Sequence, residues 1–186
     1  RNAGYAKIGF TVNLEYDYQI GNSFYWPTTL IFSYNSIDEN SLKTTMGASS
    51  ISAGPFLGIT PVTGIGYQIP MSPDIFFKVS AQIGLAIGYS PNIECFNGTG
   101  SFNEFSVSSY TFAYGLFAGI QTNKDIMISF RYLSSQQKFS ATQVLTTPGI
   151  IWTSTGTSSQ IDDHEQPSSS IQILVGIGFN LYTVIR

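Results

Sequence analysis

A run of strict alternation from Tyr5 to Ile20 constrains this chain more than any other feature. Ala6, Ile8, Phe10, Val12, Leu14, Tyr16, Tyr18 and Ile20 alternate with Lys7, Gly9, Thr11, Asn13, Glu15, Asp17 and Gln19. Successive side chains of an extended strand point to opposite faces, so the run predicts a strand with one apolar and one polar face. A strand in a soluble domain is usually about 5–6 residues long. This run is far longer, which favours the wall of a barrel.

The pattern returns at Ile75 to Tyr89, Ser108 to Gln121 and Ile171 to Leu181. In the first of these, Ile75, Phe77, Val79, Ala81, Ile83, Leu85, Ile87 and Tyr89 oppose Phe76, Lys78, Ser80, Gln82, Gly84, Ala86 and Gly88. The second face is small and polar. Less regular strands are expected at Phe24 to Asn35, Ile51 to Ile69 and Ile126 to Leu133. The middle one is weakened by Pro55 and Pro61, which cannot donate to a ladder. Seven strands are therefore visible in what reads as a single domain, residues 1–186.

Composition points the same way. Only 10% of residues are charged and 15% are aromatic, whereas soluble domains carry roughly 25% charged residues. A water-facing surface of normal size would be short of charge. The uncharged stretches are broken every few residues by Gly, Ser, Thr, Gln or Pro, so no helical span of about 20 apolar residues exists. Net charge is -3 and the basic residues are scattered, which argues against nucleic acid as a partner. Cys95 is the one cysteine, so no intrachain disulfide forms within these residues. Arg1-Asn2-Ala3-Gly4 leads directly into the strand pattern, so any targeting segment is expected to have been removed or to lie outside these residues.

Connections alternate in length. Gly21-Asn22-Ser23, Pro70-Met71-Ser72-Pro73 and Thr122-Asn123-Lys124-Asp125 are short, while Ser36 to Ser50, Ser90 to Glu104 and Ser134 to Ser170 are long and polar. Short periplasmic turns and long outer loops give this rhythm in outer-membrane barrels. The first and last visible strands then run in the same direction, toward the periplasm. Bacterial single-chain barrels have even strand numbers. The expectation is an all-β, antiparallel, up-and-down transmembrane barrel of eight strands, its first strand lying before Arg1 or supplied by another segment.

Segments such as Phe77-Lys78-Val79-Ser80-Ala81-Gln82-Ile83-Gly84-Leu85 and Ile173-Leu174-Val175-Gly176-Ile177-Gly178-Phe179 resemble the small outer-membrane barrel superfamily, the OmpA-like and opacity-type surface proteins of Gram-negative bacteria. It is a resemblance of pattern over nearly the whole chain, without a signature motif. It implies a location in the bacterial outer membrane and contact with its lipid and lipopolysaccharide. It also implies a terminal aromatic, whereas this chain continues past Phe179 and Tyr182 to Arg186.

Five charged residues fall on polar strand faces: Lys7, Glu15, Asp17, Lys78 and Arg131. Facing lipid, a Lys or Arg at the midplane costs roughly 2–4 kcal/mol, so these side chains are expected inside the barrel. There they would pair into a network with Gln82, Gln121 and Gln172 and plug the lumen, since eight strands enclose little more than side chains. An ion path is the functional alternative. Tyr16, Tyr18, Trp26 and Tyr182 are expected at the periplasmic rim, and Tyr34, Tyr89 and Tyr110 at the outer rim, as interfacial girdles. Asp162, Asp163, His164 and Glu165 have the residue types of a divalent-cation site. Four consecutive polar loop residues are more often only solvated.

No cofactor is implied. The one histidine, His164, lies in a loop rather than on a strand face, which matches a Ser/His hydrolase poorly, so no enzyme is expected. The expected role is structural or adhesive: a rigid barrel with a filled lumen, displaying long loops to lipopolysaccharide, host surfaces or a protein partner. A small channel or porin, or a soluble lipocalin-like ligand-binding barrel with its apolar residues inside, are the competing readings.

Overall fold

The computed structural model describes residues 7–96, 101–104, 108–123, 126–139, 142–146, 158–160 and 164–177. In chain order the elements are β1 (Phe10–Gln19), β2 (Phe24–Asn35), α1 (Glu39–Met46), β3 (Ser50–Ala53), β4 (Phe56–Ser72) and β5 (Ile75–Tyr89). They continue with β6 (Ile93–Phe96), β7 (Ser101–Glu104), β8 (Ser108–Thr122), β9 (Ile126–Phe139), β10 (Thr142–Thr146), β11 (Ser158–Gln160) and β12 (His164–Ile177).

Seven strands form one antiparallel sheet in the order β1-β2-β4-β5-β8-β9-β12, an up-and-down meander curled into a half-barrel. Alternation decides the curl, because the long strands carry most of their bulky apolar side chains on the convex face. Val12, Leu14, Leu85, Phe112, Leu116, Phe130, Ile173 and Val175 are all exposed there. The short connections gather at one end. Ile20 donates to the Phe24 carbonyl at 2.9 Å across Gly21-Asn22-Ser23, and the Asn123 amide donates to the Asp74 carbonyl at 2.9 Å, joining two neighbouring turns.

Three expectations are corrected. The segment Ile51 to Ile69 is not one strand: Gly54 and Pro55 divide β3 from β4, and only β4 belongs to the half-barrel. The turn expected at Pro70 to Pro73 shrinks to Pro73 and Asp74, because β4 keeps pairing through a bulge as far as Ser72. The strands flanking the third long loop reach further than alternation suggests, with Ser134 to Phe139 paired to His164 to Ser169. That stretch is polar on both faces, so hydropathy gives no sign of a strand although the ladder continues.

The three long connections are not formless. They supply β3, β6, β7, β10 and β11, which form a second sheet in the order β11-β10-β7-β6-β3. Cys95 is buried in it, opposite Ile51 on β3 and Phe102 on β7. Helix α1 flanks this sheet. Asp38 caps its start by accepting from the Ser41 amide at 3.4 Å and the Ser41 hydroxyl at 2.7 Å, and Gly47, with φ of 63°, ends it in the left-handed conformation. Glu39 accepts from the Ala53 amide at 2.9 Å, occupying a donor on β3.

Candidate functional site

The concave face of the half-barrel brings together charged and polar side chains from five strands. Arg131 on β9 is 1% exposed and forms an ion pair with Glu15 on β1. Thr29 on β2 donates to the same carboxylate at 3.2 Å and lies 3.4 Å from the Arg131 guanidinium. Turned so that its oxygen faces Arg131, the Asn13 side chain accepts from Nη1 at 2.9 Å. The guanidinium also sits over the Phe117 ring, 5.3 Å from its centroid. Gln172 is buried on β12, directly across the ladder from Arg131.

Nearer the turn end, Lys78 on β5 is 7% exposed and pairs with Asp17 on β1. Its ammonium lies 4.8 Å from the centroid of the Tyr25 ring, whose hydroxyl donates to the Val79 carbonyl at 3.3 Å. Tyr25 can lie across the interior because residue 66 is glycine. A Cβ there would come within 2.2 Å of the ring. Two cross-lumen ion pairs thus tie β1, an outer strand of the sheet, to β5 and β9.

On the loop side of this network lies an apolar layer of Ile31, Val62, Ala86, Ala113 and Leu133, all buried. An inner face built of small polar residues alone is therefore not what the chain has. Gln82 is 2% exposed, and both of its amide atoms lack a hydrogen-bond partner among the described residues, as do Ser129 Oγ and Arg131 Nε. Buried groups of this kind are where internal water resides.

Glu15, Asp17, Lys78 and Arg131 converge, with Gln172 beside Arg131 and Gln121 half-buried toward the turn end. Lys7 does not join them. It precedes β1, is 56% exposed and lies 4.0 Å from Asp38 at the loop end, because the chain leaves regular alternation before Phe10. Tyr25, Thr29, Asn13 and Phe117 belong to the site without having been singled out in the sequence. The signal for Tyr25 was its parity on β2, opposite to that of Phe24 and Trp26.

On the convex face Tyr16, Tyr18 and Trp26 are exposed near the turn end, with Tyr18 paired to Trp26. The Trp26 indole donates to Thr63 at 2.6 Å. Tyr34, Tyr89 and Tyr110 are exposed near the loop end, where Phe10 stacks on Tyr34 with centroids 5.0 Å apart. Tyr182, Asp162 and Asp163 lie outside the described residues, as do the side chains of His164 and Glu165. Among the described residues no three metal-ligating side chains converge.

No protein-family model, curated protein or solved structure matches this chain.

Proposed function

We propose that this chain is the wall of an eight-stranded outer-membrane barrel with a filled lumen, and that its role is structural or adhesive, exercised through the loop sheet. The observation that carries the reading is the distribution of polarity. Bulky apolar side chains cover the convex face from β1 to β12, while Arg131, Lys78, Glu15 and Asp17 are turned inward. A protein in water gains by the opposite arrangement. A bilayer favours this one, since lipid solvates the apolar band and interior pairing spares the charges a lipid-facing position. Aromatic residues toward both ends of the band fit the two interfaces. A lipocalin-type barrel keeps its apolar residues inside, the reverse of what is seen here.

The apolar layer above the ion pairs favours a plug over a channel, because a dry constriction of this kind resists passage of ions. The loop sheet offers a shaped outer surface in place of three independent loops, and recognition commonly resides in such segments on a rigid scaffold. Its ligand class is lipopolysaccharide, a host surface or a neighbouring protein, and no catalytic step is assigned to it.

Detergent dependence tests the membrane reading. The purified chain is expected to fold and stay monodisperse in micelles and to aggregate when detergent is removed. A folded monomer in plain buffer contradicts it. Single-channel recording of the reconstituted protein tests the plug, with a stable large conductance as the contrary result.

A further inference from the structure

Among the described residues, β1 and β12 each have one neighbour in the half-barrel sheet, β2 and β9 respectively. Between them lies a cleft of about 400 Å³, lined by Thr11, Asn13 and Glu15 on one side and Leu174 and Gly176 on the other, with Gln121 and Met127 at its floor. The Ile20 amide bonds to Phe24 across the ladder. Antiparallel ladders alternate, so even-numbered residues of β1 direct their amides to β2, and Thr11, Asn13, Glu15 and Asp17 direct theirs into the cleft.

We propose that this cleft is an acceptor for one further β-strand, donated by the same polypeptide from the segment N-terminal to β1. The inference rests on the membrane reading, because in lipid every exposed ladder donor and acceptor must find a partner within the protein. Direction selects the occupant. Seven antiparallel strands leave β1 and β12 running the same way. One strand running the other way, toward the loop end, pairs antiparallel with both.

A second copy cannot do this. Copies inserted in one membrane share an orientation, so β1 or β12 of one molecule would meet either edge of the other in parallel. The donor's connection is also set. At residue 7 the chain stands at the loop end, its amide bonded to the Ser36 carbonyl at 2.8 Å. A strand that finishes at that end reaches β1 through a loop there, as β2 reaches β4. The two cross-lumen ion pairs hold β1 toward β5 and β9 and so set the width of the cleft. The donor's inward positions must be short enough to sit over Gln121 and Met127 and free of acid opposite Glu15. Its outward positions, flanked by Val12, Val175 and Ile177, must be apolar.

Hydrogen exchange read by mass spectrometry tests the proposal on two monomeric samples in micelles, the 186-residue chain and the polypeptide as its gene encodes it. In the shorter chain, the Thr11, Asn13, Glu15 and Asp17 amides are expected to exchange about a hundredfold faster than their even-numbered neighbours. In the encoded polypeptide they slow to match. Thr11→Pro, which removes a cleft-facing donor and spares the β1–β2 ladder, is expected to lower the unfolding midpoint of the encoded polypeptide only.

Equal protection in both monomers overturns the proposal. So does protection that rises with protein concentration in the shorter chain, or a gene encoding no strand-length segment before Arg1. Should the chain prove monomeric and folded without detergent, the membrane reading fails, and the same comparison in buffer still decides whether the cleft accepts a strand.

Discussion

Arg131 and Glu15 stand on the sixth and first strands of one sheet, yet they meet as an ion pair across its concave face, with Thr29 hydrogen-bonded to the carboxylate. Their meeting is what curling the sheet accomplishes. Arg131 is buried, so removing its ion-pair partner leaves the guanidinium uncompensated. Glu15→Ala is expected to lower stability by about 3–5 kcal/mol, whereas the double substitution Glu15→Leu with Arg131→Met falls much closer to the parent. Urea unfolding in micelles checks this, and a single variant as stable as the parent would show that the pair does not hold the curl.

Gly66 and Tyr25 form a second dependent pair. A Cβ at residue 66 would meet the phenol ring at 2.2 Å, so any larger side chain there must displace the ring. Gly66→Val is expected to cost about 1–3 kcal/mol by overpacking. Adding Tyr25→Ala should recover part of that loss, giving a coupling of roughly 0.5–3 kcal/mol in a double-mutant cycle. Additive effects would mean that the ring does not occupy the space.

Leu116 lies in β8 on the convex face and is 62% exposed. On a water-facing surface, replacing it with lysine would change stability by about 0.5 kcal/mol or less. Facing the bilayer midplane, the same change costs roughly 2–4 kcal/mol. A folding equilibrium measured in lipid vesicles separates the two values.

The cap of α1, at the loop end, gives a pH dependence. Hydrogen bonds from the Ser41 hydroxyl and amide hold the Asp38 carboxyl below its ordinary range, with Lys7 adding a smaller attraction. A carboxyl depressed on folding contributes stability above its unfolded pKa and loses it as pH falls through the folded one. Amide protection of residues 39–46 and of Ala53 is therefore expected to hold at neutral pH and decline below about pH 4. Asp38→Ala should lower protection at neutral pH and leave it nearly independent of pH, so that variant and parent converge at the acid end. An unchanged pH profile in the variant would assign the transition to another group.

The long strands were legible because alternation over Phe10–Gln19 and Ile75–Tyr89 reports directly which face each residue takes. Four of the five charges sorted inward for the same reason. Lys7 did not, since parity carries no information once the chain leaves the ladder. The loop sheet left no trace, because β3, β6, β7, β10 and β11 are each three to five residues long and their pairing is set by neighbours distant in sequence. The inner apolar layer was hidden for a different reason. Ile31 and Val62 alternate with residues that are themselves apolar, Leu30, Phe32 and Pro61, so each strand has two plausible core faces. The ladder alone decides which one turns inward.

The claim on which the rest depends is that the convex face meets lipid. With Trp26 and Trp152 both replaced by Phe, Leu116→Trp places a single fluorophore at the centre of that face. In vesicles of acyl-brominated phospholipid its emission is expected to be strongly quenched and to resist an aqueous quencher. Emission untouched by the brominated chains but quenched from the water phase would contradict the account.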